Sequence, residues 1–269
     1  MAEQPFKNNV MVLTGASVGI GREMALQLAA QGAKLALAAR NQAQLEEVAE
    51  ACRQRGGEAL AVPTDVSDQA QVNHLVEQAA AAYGRIDTLV NNAGVSMWTY
   101  FEEVEDPGLM DKIMQVNYMG SVYCTFYALP YLKESKGRLV AVSSLAGKNG
   151  VPTRSGYAAS KHAMVGFFDT LRIELEGTGV SVTTIYPGFV LTEIRKRAYT
   201  GDGEPLGYEP VQEKGAMTAE KCARLILPAV ARRRRELIMT PRGVVGQWIK
   251  LIAPGLVDRI ARNAIEKGR

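Results

Sequence analysis

Asn9-Val10-Met11-Val12-Leu13-Thr14-Gly15-Ala16-Ser17-Val18-Gly19-Ile20-Gly21 is the stretch that decides the fold. Its first six residues form an apolar, β-branched run of strand length. Three glycines follow at a sharp turn, and a helical pattern then runs from about Gly19 to Gln31 and stops at Gly32. Tight turns take glycine for reasons of their own, so the weight rests on position. Between a first strand and a first helix, glycines let a pyrophosphate approach the backbone where unpaired N–H groups and the helix dipole favour an anion.

Outward from that turn the alternation continues. Strands are expected at Lys34–Ala39, Ala59–Pro63, Ile86–Val90, Arg138–Val142, Val180–Tyr186 and Glu236–Met239. Helices are expected from the Asn41 cap to about Arg55, from Ser67 to Tyr83, up to about Leu132, and from Gly156 to Glu176. Strand–helix alternation implies parallel pairing through right-handed crossovers. The fold class is therefore α/β, a doubly wound (Rossmann) domain with a mostly parallel seven-stranded sheet. Residues 188–215 form a long connection of the kind that serves as a lid or binding loop. Residues 1–240 are expected to be the dinucleotide-binding and catalytic domain, and 241–269 a helical extension of it. In that extension Val244, Val245, Trp248, Ile249, Leu251 and Ile252 share helical spacing, and Pro254-Gly255 should break it before a second helix from about Leu256. Burial of Trp248, Ile249 and Ile252 over the cleft or a neighbouring subunit is expected.

The chain has 269 residues, 47% of them hydrophobic and 22% charged, an ordinary globular balance that excludes disorder and fibrous classes. Cys52, Cys124 and Cys222 are scattered, so neither a disulfide framework nor a metal site is expected. The opening MAEQPFKNN shows no secretory pattern and no apolar run is long enough to span a bilayer, so a cytoplasmic setting is expected. Charge is uneven: residues 221–269 hold 12 Lys/Arg against 3 Asp/Glu, while 1–220 hold 19 against 25. A basic tail on an acidic body suits a solvated face, a subunit contact or a peripheral anionic membrane surface; no nucleic-acid partner is expected.

With these motifs in place, the sequence resembles the short-chain dehydrogenase/reductase superfamily across residues 8 to about 240. The matching residues are Thr14 to Gly21 (spaced G-x-x-x-G-x-G), Asp65-Val66, Asn91-Asn92-Ala93-Gly94, Asn117, Ser144, Tyr157-Ala-Ala-Ser-Lys161, and Pro187-Gly188 with Thr192. The resemblance implies an oxidoreductase that interconverts a ketone or aldehyde with an alcohol. The tail is similar to a hydroxysteroid dehydrogenase-like subgroup, which implies a bulky hydrophobic substrate. Homodimers or homotetramers are implied too. A 3-oxoacyl-carrier-protein reductase is an alternative, though such chains usually end soon after the last strand. A non-catalytic nucleotide sensor is another, with no need for proton-transfer residues.

Tyr157 and Lys161 stand four apart on one helical face. A free phenol titrates near about 10, and an adjacent ammonium is expected to lower that value, making Tyr157 the general acid or base. By resemblance, Ser144 bonds the substrate oxygen, Lys161 also holds the nicotinamide ribose, and Asn117 holds a water that relays protons. Ser143 competes with Ser144, but spacing to Tyr157 favours Ser144. The cofactor would lie against Gly15, Ser17, Gly19, Ile20, Gly21, Asp65, Val66, Asn91, Ala93 and Gly94, then Pro187, Gly188, Thr192 and either Ile185 or Val190. No carboxylate ends the second strand; Arg40 stands there, and a guanidinium suits a ribose 2′-phosphate. NADP(H) is therefore expected over NAD(H), although Val18 occupies a place where many NADP-dependent members carry a second basic residue. Met97 to Phe101 either line the substrate pocket or pack between subunits. His74 and His162 are assigned no role.

Overall fold

The computed structural model describes residues 4–210 and 216–266. Seven strands form one all-parallel sheet: β1 (Val10–Thr14), β2 (Lys34–Ala39), β3 (Glu58–Pro63), β4 (Thr88–Asn91), β5 (Arg138–Val142), β6 (Ser181–Tyr186) and, at the far edge, β9 (Glu236–Ile238). β7 (Val190–Leu191) and β8 (Met217–Thr218) pair separately, within the long connection. The sheet order is β3-β2-β1-β4-β5-β6-β9, so the chain reverses direction of travel between β1 and β4. Open α/β sheets bind ligands in the crevice at that point, beyond the carboxyl ends of the strands.

The strands alternate their side chains between two cores, as a period of two requires. Met11, Leu13, Leu35 and Leu37 face α1 (Gly19–Ala29), α2 (Gln42–Gln54) and α7 (Ala219–Ala231), meeting Met24, Leu45 and Ile226. Val12, Ala36, Leu89 and Leu139 face the opposite layer, α3 (Gln69–Tyr83), α5 (Gly120–Ser135) and α6 (Ser155–Glu174), meeting Leu75, Leu132 and Phe168. Cys52, Cys124 and Cys222 are free and buried in these cores, and burial pushes each thiol well up, Cys124 to about 12. They are packing groups.

The helix preceding β5 is not uniform. α4 (Gly108–Met114) passes through a π-turn at Gln115–Met119 into α5. π-turns inside α-helices often mark functional positions, and this one carries Asn117.

Within one chain the tail does not take the first of its two expected positions, over the cleft. α8 (Pro241–Ile252) and α9 (Pro254–Glu266) form as two helices, with Pro254 as the first residue of the second rather than only a break. Yet Trp248 is 70% exposed, Leu251 75% and Ile252 85%. Ile249 is only half-buried. The tail is anchored instead near its end, where Ile265 is buried with Trp98 and Ala198. Met97 and Trp98 are likewise packing residues: the Gly156 N–H points at the Met97 sulfur at 3.1 Å, and neither residue lines the cleft.

Candidate active site

The carboxyl ends of β1 and β4 are laced together by Thr14. Its Oγ1 accepts the N–H groups of Asn92 and Ala93, both at 3.0 Å, and donates to the Val90 carbonyl. Asn92 Nδ2 returns bonds to the carbonyls of Thr14 and Gly15 at 2.9 and 3.1 Å. Sequence reasoning placed Asn91 here, but Asn91 is buried in β4, with its amide turned to Thr125 of α5. Asn92 lines the cleft instead. The alternation of a strand explains the slip, since neighbours point to opposite faces.

Gly15 and Gly19 hold φ of +65° and +57°, conformations that glycine reaches without strain. Gly21 serves from behind rather than lining the cleft: a Cβ there would overlap the Gly15 carbonyl and come within 2.6 Å of Asn92 Nδ2. Val18 is the N-cap of α1 and makes no side-chain cap bond, and the first turn carries no acidic residue. The turn thus keeps its first N–H groups for an anion.

One cleft of about 830 Å³ runs along this edge. Gly15, Ser17, Gly19, Ile20, Arg40, Asp65, Val66, Ala93 and Gly94 line it, as do Ser144, Tyr157, Lys161, Pro187, Gly188, Val190 and Thr192. Ile185 is buried in the sheet, so of the two alternatives Val190 is the one at the cleft. Thr192 closes over the turn, its Cγ2 3.1 Å from the place of a Cβ on Gly19. Asp65 Oδ1 accepts the Ser67 N–H and Oγ–H, and the helix cap falls to Asp68. Arg40 is exposed at the rim, and its neighbour Asn41 is spent capping α2.

At the cleft floor, Tyr157 and Lys161 project from α6 and Ser144 follows β5. Ser144 lies beside the Tyr157 phenol, where it favours the charged form, and its Oγ accepts the Ala146 N–H at 3.1 Å. Ser143 instead donates to the Lys161 carbonyl. Lys161 Nζ donates to the Val142 carbonyl at 3.0 Å and lies 5.9 Å from the Tyr157 ring centroid. Asn117 is fully buried: its Oδ1 accepts the Val95 N–H at 2.8 Å, and Nδ2 donates to the Val95 carbonyl and to Ser160 Oγ, both at 2.9 Å. Both Asn117 amide hydrogens are therefore used, while Oδ1 keeps one acceptor site and the backbone carbonyl accepts from Ser121.

The expected lowering of the tyrosine by its lysine neighbour does not hold among the chain's own groups. Burial pushes the Tyr157 phenol up, and Ser144 and the charge of Arg154 offset that only in part. Burial also pushes the Lys161 ammonium down to about 8. Both shifts have one cause, the desolvation of the charged form. Arg154 is a residue the sequence reading missed. It stands three before Tyr157, at the cap of α6, with its guanidinium carbon 6.0 Å from the Tyr157 ring centroid.

This constellation and fold define a dinucleotide-dependent oxidoreductase of the doubly wound class. The chain belongs to the short chain dehydrogenase family, whose model matches residues 9–203. It is 38% identical over 93% of its length to 11-beta-hydroxysteroid dehydrogenase 1A of Arabidopsis thaliana, covering 73% of that protein. It is 36% identical to mouse (Mus musculus) dehydrogenase/reductase SDR family member 7B, with 98% of this chain and 83% of that one covered. Among solved structures, a short chain dehydrogenase/reductase from Burkholderia phymatum in complex with NAD matches with a TM-score of 0.82 at 28% identity, covering 94% of this chain and 96% of that one. The hydroxysteroid dehydrogenase-like resemblance agrees with these relatives.

Proposed function

We propose that the chain interconverts a ketone or aldehyde with an alcohol using NADP(H), with Tyr157 as the proton donor and acceptor. The observation that carries this reading is the meeting of the Tyr157 phenol, Ser144 and the Lys161 ammonium at one cleft floor. When bound, the nicotinamide supplies the hydride. Ser144 holds the substrate oxygen next to the Tyr157 hydroxyl, so that the proton passes at that atom while negative charge develops. Lys161, within reach of the cleft beside Gly94, binds ribose hydroxyls. Asn117 fixes Val95 and Ser160 around them, and its carbonyl holds the relay water. A bare nucleotide sensor would have no use for the buried Tyr157–Ser144 pair.

Support for NADP(H) comes from Arg40 at the rim and the lack of a carboxylate ending β2. The test is reduction of a ketone panel with NADPH and NADH, in the unmodified protein and in Tyr157→Phe. Loss of most turnover with nucleotide affinity retained supports the assignment; near-normal kcat in Tyr157→Phe, or preference for NADH, overturns its respective half.

Residues 241–266 extend the same domain, through Ile265 against Trp98. The half exposed on α8 and α9 contacts an anionic membrane surface. Val245, Trp248, Leu251, Ile252 and Ile260 present apolar area to solvent, and Arg242, Arg259 and Arg262 are exposed beside them. No helix among the described residues is long and apolar enough to cross a bilayer. Assembly into a homodimer or homotetramer is supported by exposed Phe126 on α5 and Ile173 on α6.

A further inference from the structure

Two arginines line the cleft and are nearly out of solvent, Arg154 at 8% exposed and Arg195 at 3%, and Arg154 is the one beside Tyr157. Arg195 Nε donates to Glu209. Glu193 and Arg197, further along the same wall, pair with each other. Among the described residues, Arg154 Nε and Nη2 and Arg195 Nη2 have no hydrogen-bond partner. Burying an unpaired charge is costly, and proteins retain such a group mainly where something else completes it. The Arg154 guanidinium lies over Trp98 at 4.8 Å, so its face is supported. Its Nε–Nη2 edge, out of solvent contact as the side chain stands, has the fork geometry for two oxygens of one anion once the guanidinium turns to the cleft.

We infer that the substrate carries an oxyanion group, a carboxylate or a phosphate ester, which Arg154 and Arg195 hold within a few bonds of the carbonyl reduced at Tyr157. The short spacing follows from the 6.0 Å between the Arg154 guanidinium carbon and the Tyr157 ring centroid. The rest of the wall here, Leu145, Val151, Tyr199 and Pro205, is largely apolar and suits a hydrocarbon remainder. The substrate is therefore amphipathic, with its charged end inside. This inference rests on Tyr157 being the proton donor, and it adds the neighbouring specificity determinant. It also gives Trp98 a purpose: the ring on which Arg154 rests is pinned from the other side by Ile265 of α9.

The test compares matched ketones with saturating NADPH: levulinate against methyl levulinate, and hydroxyacetone phosphate against hydroxyacetone. Each oxyanion partner is expected to have the higher kcat/KM by about tenfold or more, mostly through KM. The pair with the larger ratio identifies carboxylate or phosphate as the natural group. In Arg154→Gln both ratios fall towards one, whereas Arg154→Lys keeps part of the preference. Equal kcat/KM within both pairs in the unmodified protein overturns the inference, and so does an unchanged ratio in a folded Arg154→Gln. A binding arm separates this from the reading it rests on. Octanoate and octanol are titrated calorimetrically into the nucleotide-loaded protein, with and without Arg154→Gln. Octanoate binding that needs Arg154, with no ketone reduced, would leave the oxyanion site standing and remove the reductase reading. Equal binding of octanoate and octanol would overturn the site whatever the turnover.

Discussion

Replacing Lys161 by Met should stabilise the nucleotide-free protein at neutral pH and lose that advantage in alkali. The buried ammonium has one carbonyl partner, Val142, and its pKa falls from the ordinary 10.5 to about 8. At roughly 1.4 kcal/mol per tenfold change, that displacement corresponds to about 3 kcal/mol. The sign follows from proton counting. Between pH 8 and 10.5 the unfolded chain holds the proton and the folded chain has released it, so stability rises with pH across that window. Below 8 the whole cost of the buried charge is present; above 10.5 it is gone. Methionine keeps the apolar stem and carries no charge, so its stability lacks this contribution. It also leaves the Val142 carbonyl without the ammonium, a loss of about 1 kcal/mol that does not depend on pH. The variant should therefore exceed the unmodified protein by about 2 kcal/mol at pH 7 and fall slightly below it by pH 10.5. Urea unfolding of both proteins at intervals from pH 7 to 10.5 measures the difference, in which other titrating groups cancel. In melting temperature the crossing spans about 5 °C for a chain of this length. Parallel stability curves for the two proteins would refute the reasoning, because they would mean that Lys161 is not titrating differently in the folded state.

Three further outcomes follow from named contacts. Gly21→Ala should lose about 2 kcal/mol or more of stability and disturb nucleotide binding as well, since the new Cβ collides with the Gly15 turn and Asn92; equal unfolding midpoints would exclude the collision. Arg40→Asp should weaken NADPH binding by a few kcal/mol and NADH binding far less, as fluorescence titration of both nucleotides would reveal; equal losses would mean that Arg40 does not meet the 2′-phosphate. Trp248→Glu combined with Leu251→Glu should abolish salt-sensitive sedimentation with anionic vesicles at unchanged Tm, because both side chains are already in solvent. Retained sedimentation would assign the face to another partner.

The sheet and its switch point were legible because they rest on local rules. Runs of β-branched residues, glycine at Gly15 and Gly32, and an Asn41 cap each act over a few residues, and β1, β2 and β5 fall where those rules put them. What was not legible needed facts at long range. Whether Asn91 or Asn92 enters the cleft depends on which face of β4 looks outward, and a shift of one residue inverts the answer. Charge at Tyr157 was misjudged for a similar reason. The i, i+4 spacing brought Lys161 near, but no local pattern discloses that both groups are buried deeply enough for desolvation to dominate each of them.

Arg154 and the tail expose the same limit from two sides. An arginine three residues before a tyrosine reads as an ordinary surface charge, because the default for arginine is exposure. Its burial depends on Trp98, fifty-six positions away, and on α9 closing behind that ring through Ile265. In α8, conversely, an apolar stripe at helical spacing reads as a buried face, because burial is the default for Trp, Leu and Ile at such positions. Periodicity states only that one face differs from the other. It does not supply the surface that covers it, and here the described residues leave Trp248, Leu251 and Ile252 in solvent. Both features occur where a residue type, within one chain, contradicts its default environment. Those contradictions are costly to maintain, the first as an uncompensated charge and the second as exposed apolar area. A chain that retains both should recover that cost from something it binds. On the two proposals made above, an oxyanion would complete the first and a lipid surface the second, and each is open to direct measurement.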